Sequence, residues 1–132
     1  MSGPQLYHRI EAVIEQCNIE SLRHALIHTL SAGQRVHIAI ADTLLHDPPV
    51  LLLDDSFAAI DIQSRQSLIH LLQRICSDKS LIMTTHLPDE AAPVCTHYAL
   101  LKEGVLFEHA ALPVLQGETF QQHFAARFVN EH

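Results

Sequence analysis

Val50-Leu51-Leu52-Leu53-Asp54-Asp55 is the stretch whose reading decides the fold. Four apolar residues follow Pro48-Pro49 and end on two carboxylates. A short continuous apolar run bounded by turn residues reads as a strand buried on both faces of a parallel sheet. Open α/β sheets place their ligands at the carboxyl ends of such strands. Asp54 and Asp55 are therefore delivered where chemistry would be expected, although a strand that merely ends in a polar turn has the same appearance.

Upstream, Ser31 to Gln34 fits the S-x-x-Q capping box and opens a helix carrying Val36, Ile38, Ile40, Leu44 and Leu45, which stops at Asp47-Pro48-Pro49. Before it, Leu6, Ile10, Val13, Ile14 and Cys17 recur at helical spacing, and Asn18 is placed to cap a second short helix with Leu22, Ala25 and Leu26. Downstream, Asp61 caps a helix with Leu68, Leu71, Leu72 and Ile75 inward, and Ser80 to Thr84 forms a second buried strand. Pro88 starts a short helix after His86. Tyr98 to Lys102, Glu103-Gly104 and Val105 to Phe107 read as a hairpin, and Phe120, Phe124 and Phe128 as the stripe of a final amphipathic helix.

The chain has 132 residues, 48% of them apolar, enough for one domain with a core. Its net charge of −7, with eight Lys and Arg, offers no basic patch for a phosphate backbone and argues against a nucleic-acid partner. No apolar run approaches the roughly 20 residues that span a bilayer, and the start MSGPQLYHRI lacks the apolar core of a signal peptide, so a cytoplasmic location is expected. The three cysteines, Cys17, Cys76 and Cys95, form no CxxC pair and read as reduced and structural. Of eleven histidines, His24 and His28 have a spacing that would put two imidazoles on one helix face, with no third ligand nearby.

Three segments carry candidate chemistry. Leu30-Ser31-Ala32-Gly33-Gln34 places small residues and a hydroxyl at a capped helix start, where N–H groups and the helix dipole favour anions and Gly33 permits close approach. At Asp54 and Asp55, nucleotide hydrolases use the first carboxylate to hold Mg²⁺, usually through water, and the second to orient or deprotonate the attacking water. Thr84-Thr85-His86 puts an imidazole just past the next buried strand, level with those carboxylates. Each segment alone has an ordinary structural reading.

Their order, LSAGQ, then LLLDD, then AAID, then TTH, resembles the ATP-binding cassette (ABC) ATPase family over roughly residues 22–110. The resemblance implies an α/β, P-loop NTPase-like parallel sheet with flanking helices, truncated at the amino end, plus a partial helical subdomain. One partial nucleotide-binding domain would divide into a helical part (1–48), an α/β part (49–110) and a carboxy-terminal helix (111–132). It also implies roles. Leu30, Ser31, Ala32, Gly33 and Gln34 would form the signature loop acting on a partner's nucleotide, Asp61 would lie in the D-loop, and Asp54 would hold Mg²⁺ through water. Asp55 would take the catalytic carboxylate position, and His86 would sense the γ-phosphate.

A phosphate-binding Walker A loop needs G-x-x-x-x-G-K-S/T. The two lysines, Lys79 and Lys102, follow Asp78 and Leu101, and no such motif exists here. ATP and Mg²⁺ binding are thus expected only with a partner that supplies Walker A, either an amino-terminal half or a second nucleotide-binding subunit. A membrane-embedded transporter subunit and a peripheral position at the inner face of a membrane follow from the resemblance alone. The alternative is a non-catalytic binding or regulatory subunit derived from this fold. Asp55 stands where the family usually has Glu, Ala32 where it usually has Gly, and His37 and Asp42 where it often has Arg. General-base catalysis contributes roughly 10²- to 10⁴-fold, so a shortened base predicts slow hydrolysis. Losing the family's first strand and core helix should bare apolar surface on the two strands. That surface is expected to be covered by an amino-terminal half, by self-association into a homo-oligomer, or by the chain's own 120–128 helix.

Overall fold

The structure, a computed structural model, describes residues 3–129. The outer ends of the expected 1–48 and 111–132 segments lie outside the described residues. The first helix, α1 (Gly3–Cys17), buries Val13 and Cys17. Asn18 does not cap a following helix as its residue type had promised. It is left-handed at φ 53° and ends α1, with Asn18 N–H donating to the Glu15 carbonyl and Ile19 N–H to that of Ile14. These two bonds form a Schellman closure, for which Asn is one of the few residues that tolerate the backbone. The segment after it holds only 3₁₀ turns, Glu20–Leu22 and Ile27–Thr29. His24 and His28 therefore share no α-helical face.

The second helix, α2 (Ala32–Leu44), opens on the expected capping box: Gln34 N–H donates to Ser31 Oγ at 3.2 Å and Ser31 N–H to Gln34 Oε1 at 2.9 Å. It leads through Asp47, left-handed at φ 49°, into β1 (Val50–Asp54). The next helix, α3 (Ile62–Ile75), is capped by the Asp61 carboxylate, which accepts from Ser64 N–H at 3.0 Å. It returns the chain to β2 (Ser80–Thr84), parallel to β1 and paired Val50 to Ser80 through Asp54 to Thr84. Leu44, Leu68, Leu72, Ile75 and Phe57 are fully enclosed between α1, α2, α3 and the inner face of β1. Asp47 fastens this assembly at its far end, receiving Arg9 from α1 at 3.1 Å and Lys79 from the start of β2 at 2.7 Å.

The β1–β2 pair is buried on one face, not two. Leu51 points inward, whereas Leu52 is 74% and Ile82 62% exposed, and Val50 is exposed beside them. A two-stranded parallel pair with helices on one side leaves its other apolar row without a layer, contrary to the usual two-sided cover of parallel strands.

After α4 (Pro88–Ala91) come β3 (His97–Lys102) and β4 (Val105–Ala111), an antiparallel hairpin with a bulge between Leu100 and Leu101. Glu103 and Gly104 both have positive φ, 51° and 79°, as a two-residue type I′ turn requires. The last helix, α5 (Phe120–Val129), lies on this hairpin, with Phe124 4.7 Å from the Tyr98 ring and Phe128 5.2 Å from Phe107. Asp89 of α4 accepts from its first amides, Phe120 at 2.7 Å and Gln121 at 3.1 Å. The expected cover of β1–β2 by the 120–128 helix is thus overturned: its aromatic stripe is spent on the hairpin. Among the described residues no helix is long and apolar enough to cross a membrane, and all three cysteines are free thiols.

Candidate functional site

At the carboxyl end of the parallel pair, register places Asp54 directly opposite Thr84. The Thr84 hydroxyl donates to Asp54 Oδ1 at 2.5 Å. The Thr84 Oγ1 oxygen in turn accepts from Asp55 N–H at 3.0 Å, an amide that also donates to the Thr84 carbonyl at 3.1 Å. Asp55 itself is left-handed at φ 44°, an uncommon conformation for a residue with a Cβ. Its Oδ1 is buried with no hydrogen-bond partner. His86 follows two residues beyond β2, exposed, while Thr85 Oγ1 accepts from Leu87 N–H at 2.9 Å and fixes the entry to α4. Asp54 and Asp55 are thus tied together through one threonine, and among the described residues no hydrogen bond joins His86 to either.

A second group forms where α2 and α3 begin. Leu30 is buried, and its carbonyl accepts from Arg35 at 2.6 Å, which anchors the approach to Ser31. The Ser31 hydroxyl spends an acceptor lone pair on the Gln34 amide and keeps its proton. Gly33 does not leave its backbone open as anticipated: a Cβ there would lie 2.4 Å from Ser64 Oγ and 2.5 Å from Ser64 Cβ. Its missing side chain admits α3. Ser64 Oγ in turn donates to Asp61 at 2.6 Å, and this bond, with the Ser64 amide, holds the Asp61 carboxyl below its ordinary range. One turn along, His37 bridges the same two helices, Nδ1 to the Gly33 carbonyl at 3.0 Å and Nε2 to Ser67 Oγ at 3.2 Å. A shallow cleft of about 260 Å³ runs past Ile19, Gln34, His37, Ser64 and Ser67.

Sequence reasoning named Leu30, Ser31, Ala32, Gly33, Gln34, Asp54, Asp55, Asp61 and His86, gave Thr84 no role beyond leading to His86, and missed Ser64 and Arg65. Arg65 donates from Nε to the Ile60 carbonyl at 3.1 Å and pairs with Glu90 of α4 at 3.6 Å, linking the turn before α3 to the segment after His86. The one available signal was a polar Thr84 closing the apolar run Leu81 to Met83. No three His, Cys, Asp or Glu side chains converge as a metal cage among the described residues. Mg²⁺ is suited to such a place, since it is usually held by one or two carboxylates together with substrate phosphates and water. The exposed Asp54 carboxylate fits that requirement.

Comparison with known proteins identifies the family and the fold. The ABC transporter family profile matches residues 5–58. The thiamine import ATP-binding protein ThiQ of Salmonella choleraesuis is 36% identical over 96 residues, covering 71% of this chain and 41% of the relative. ThiQ of a Jannaschia species is 32% identical over 112 residues, covering 83% and 49%. The Nod factor export ATP-binding protein I of Cupriavidus metallidurans is 30% identical over 105 residues, covering 79% and 35%. The chain therefore spans less than half the length of these relatives. Among solved structures, cbiO1 from Clostridium perfringens, part of the ABC transporter complex cbiONQ, superposes with a TM-score of 0.78 at 25% identity, covering 98% of this chain and 49% of that one. A dimeric ATP-binding cassette MJ0796 in a post-hydrolysis state shares the fold with a TM-score of 0.71 at 24% identity, over 87% of this chain and 50% of that one. Element order, motif order and relatives converge, and the chain belongs to the ABC ATPase family, matching the carboxy-terminal half of its nucleotide-binding domain.

Proposed function

We propose that this chain contributes one side of a composite ATP site in an ABC transporter, completed by a partner that carries Walker A. The observation that carries the reading is the position of Asp54: it lies on the bare face of β1–β2, in the row that continues from Leu52 and Ile82. Any layer that covers those apolar side chains arrives next to the carboxylate. In this reading Asp54 holds Mg²⁺ through water, which neutralises phosphate charge when bound, and Asp55 and His86 face the terminal phosphate. Leu30 to Gln34 and Asp61 meet the nucleotide of a second cassette. Relatives named for thiamine import and for Nod factor export match the chain comparably, so what they share is the ATP-binding role rather than a cargo.

The test is calorimetry with ATP and Mg²⁺ on the chain alone and with a Walker A half-domain, with Ser31→Arg and Asp54→Ala as controls. Binding that appears only with the half-domain and disappears in both variants is the expected result. No response in either setting from a folded chain would instead support a non-catalytic binding or regulatory subunit. One observation favours that second reading: Asp55, already shorter than the usual Glu, sits in a left-handed backbone with a buried oxygen unpaired.

A further inference from the structure

We infer that Thr84 is a positioning residue that sets the Asp54 carboxylate and the Asp55 backbone through one hydroxyl group. The inference rests on the composite-site reading above. A threonine hydroxyl has one proton and two lone pairs. Here the proton goes to Asp54 Oδ1 at 2.5 Å and a lone pair takes the Asp55 amide at 3.0 Å. The donor direction is fixed, because the Asp55 N–H only donates and an ionised Asp54 only accepts. A hydrogen bond to a charged acceptor is among the stronger kinds, so it selects one orientation of the Asp54 carboxylate before any cation arrives. It leaves the second carboxylate oxygen of Asp54 for a metal-bound water.

The other half of the contact acts on Asp55. A left-handed aspartate persists only where its surroundings over-determine it, and the Asp55 amide is held twice, by the Thr84 hydroxyl and by its carbonyl. Thr84 is exposed and supports no core packing, so it is placed for the carboxylates and not for the fold. Parallel register makes this arrangement possible, since it brings Thr84 opposite Asp54 on the bare face.

Thr84→Val keeps the β-branched shape and removes the hydroxyl; Thr84→Ser keeps the hydroxyl. Two readouts separate the roles. In the metal-free chain, amide hydrogen exchange at Asp55 is expected to quicken in the valine variant and to stay near the unsubstituted rate in the serine variant. In the ATP-loaded assembly with a Walker A half, Mn²⁺ affinity by calorimetry should fall about tenfold or more in the valine variant, the scale seen when a partner behind a metal ligand is lost, and recover with serine. Unchanged Asp55 exchange in Thr84→Val overturns the inference whether or not the assembly binds nucleotide. Unchanged Mn²⁺ affinity in a responsive assembly overturns its bearing on the metal. Failure of the unsubstituted assembly to take up ATP counts against the composite-site reading, and with it against the metal-orienting half of the inference, while Asp55 exchange still decides the clamp.

Discussion

The described residues form two sheets of two strands each, and these are finished to different degrees. The β3–β4 hairpin is joined by a two-residue turn, and α5 lies against it through Tyr98, Phe107, Phe124 and Phe128. Its two strands and the helix that covers them follow one another along the chain. The parallel β1–β2 pair needs α3 to connect it and α1 and α2 to cover one face, and it still exposes Val50, Leu52 and Ile82 on the other. Antiparallel pairs close within a short stretch of chain, whereas parallel pairs depend on distant elements. The candidate site sits on the incomplete sheet, beside the apolar row that no layer covers.

The largest effects test whether the two regions are energetically separate. Phe57→Ala empties a fully buried position beneath β1 and should cost about 3–5 kcal/mol, with loss of amide protection throughout β1, β2 and α3. Phe124→Ala, also buried, should cost a similar amount but strip protection mainly from β3, β4 and α5. Uniform loss of protection in both variants would erase the distinction. Next, Gly33→Ala drives a Cβ to 2.5 Å from that of Ser64 and should destabilise the chain by about 1–3 kcal/mol, the usual scale of overpacking. Pairing it with Ser64→Gly should recover most of the loss in a thermal double-mutant cycle.

Acid offers a finer test, because each region has its own carboxylate network, with Asp47 exposed and Glu108 half-buried. Asp47 is held below its ordinary pKa first by its hydrogen bond from Lys79, then by the charges of Lys79 and Arg9. Glu108 is lowered first by Arg127 and then by Tyr98. A lowered folded-state pKa means the stabilisation is fully present above the unfolded carboxylate value and is lost as pH falls through the folded one. Stability should therefore decline below about pH 4, and Asp47→Asn and Glu108→Gln should each flatten part of that decline in pH-dependent denaturation. The effect is small, since exposed ion pairs contribute little. Smallest of all, Leu52→Ser should alter the stability of the isolated chain by no more than about 0.5 kcal/mol, given 74% exposure, while weakening whatever association covers that face.

Much of this organisation was written locally and could be read. The Val50 to Leu53 run gave a strand, Ser31 with Gln34 a helix start, Asp61 another, and Glu103-Gly104 a tight hairpin. What escaped depended on relations between distant segments. Four consecutive apolar residues hide the alternation that would reveal an exposed Leu52 beside a buried Leu51. Asn18 is chemically suited both to start a helix and to end one, and only the backbone shows which. Thr84 acquires its place from the parallel register, and Gly33 from the approach of α3, neither of which a linear reading contains. The candidate residues were therefore legible by type, and their supports were not.

The seam between α2 and α3 has a mechanical consequence. Gly33 lets Ser64 in at the first turn, and His37 ties Ser67 one turn later, so the amino ends of the two helices are pinned at two points. Two contacts a turn apart oppose hinging, so the helices are expected to move as one jaw. A load applied at Ser31 is then expected at Asp61 as a shared displacement, much as pressure on one prong of a rigid fork moves the other.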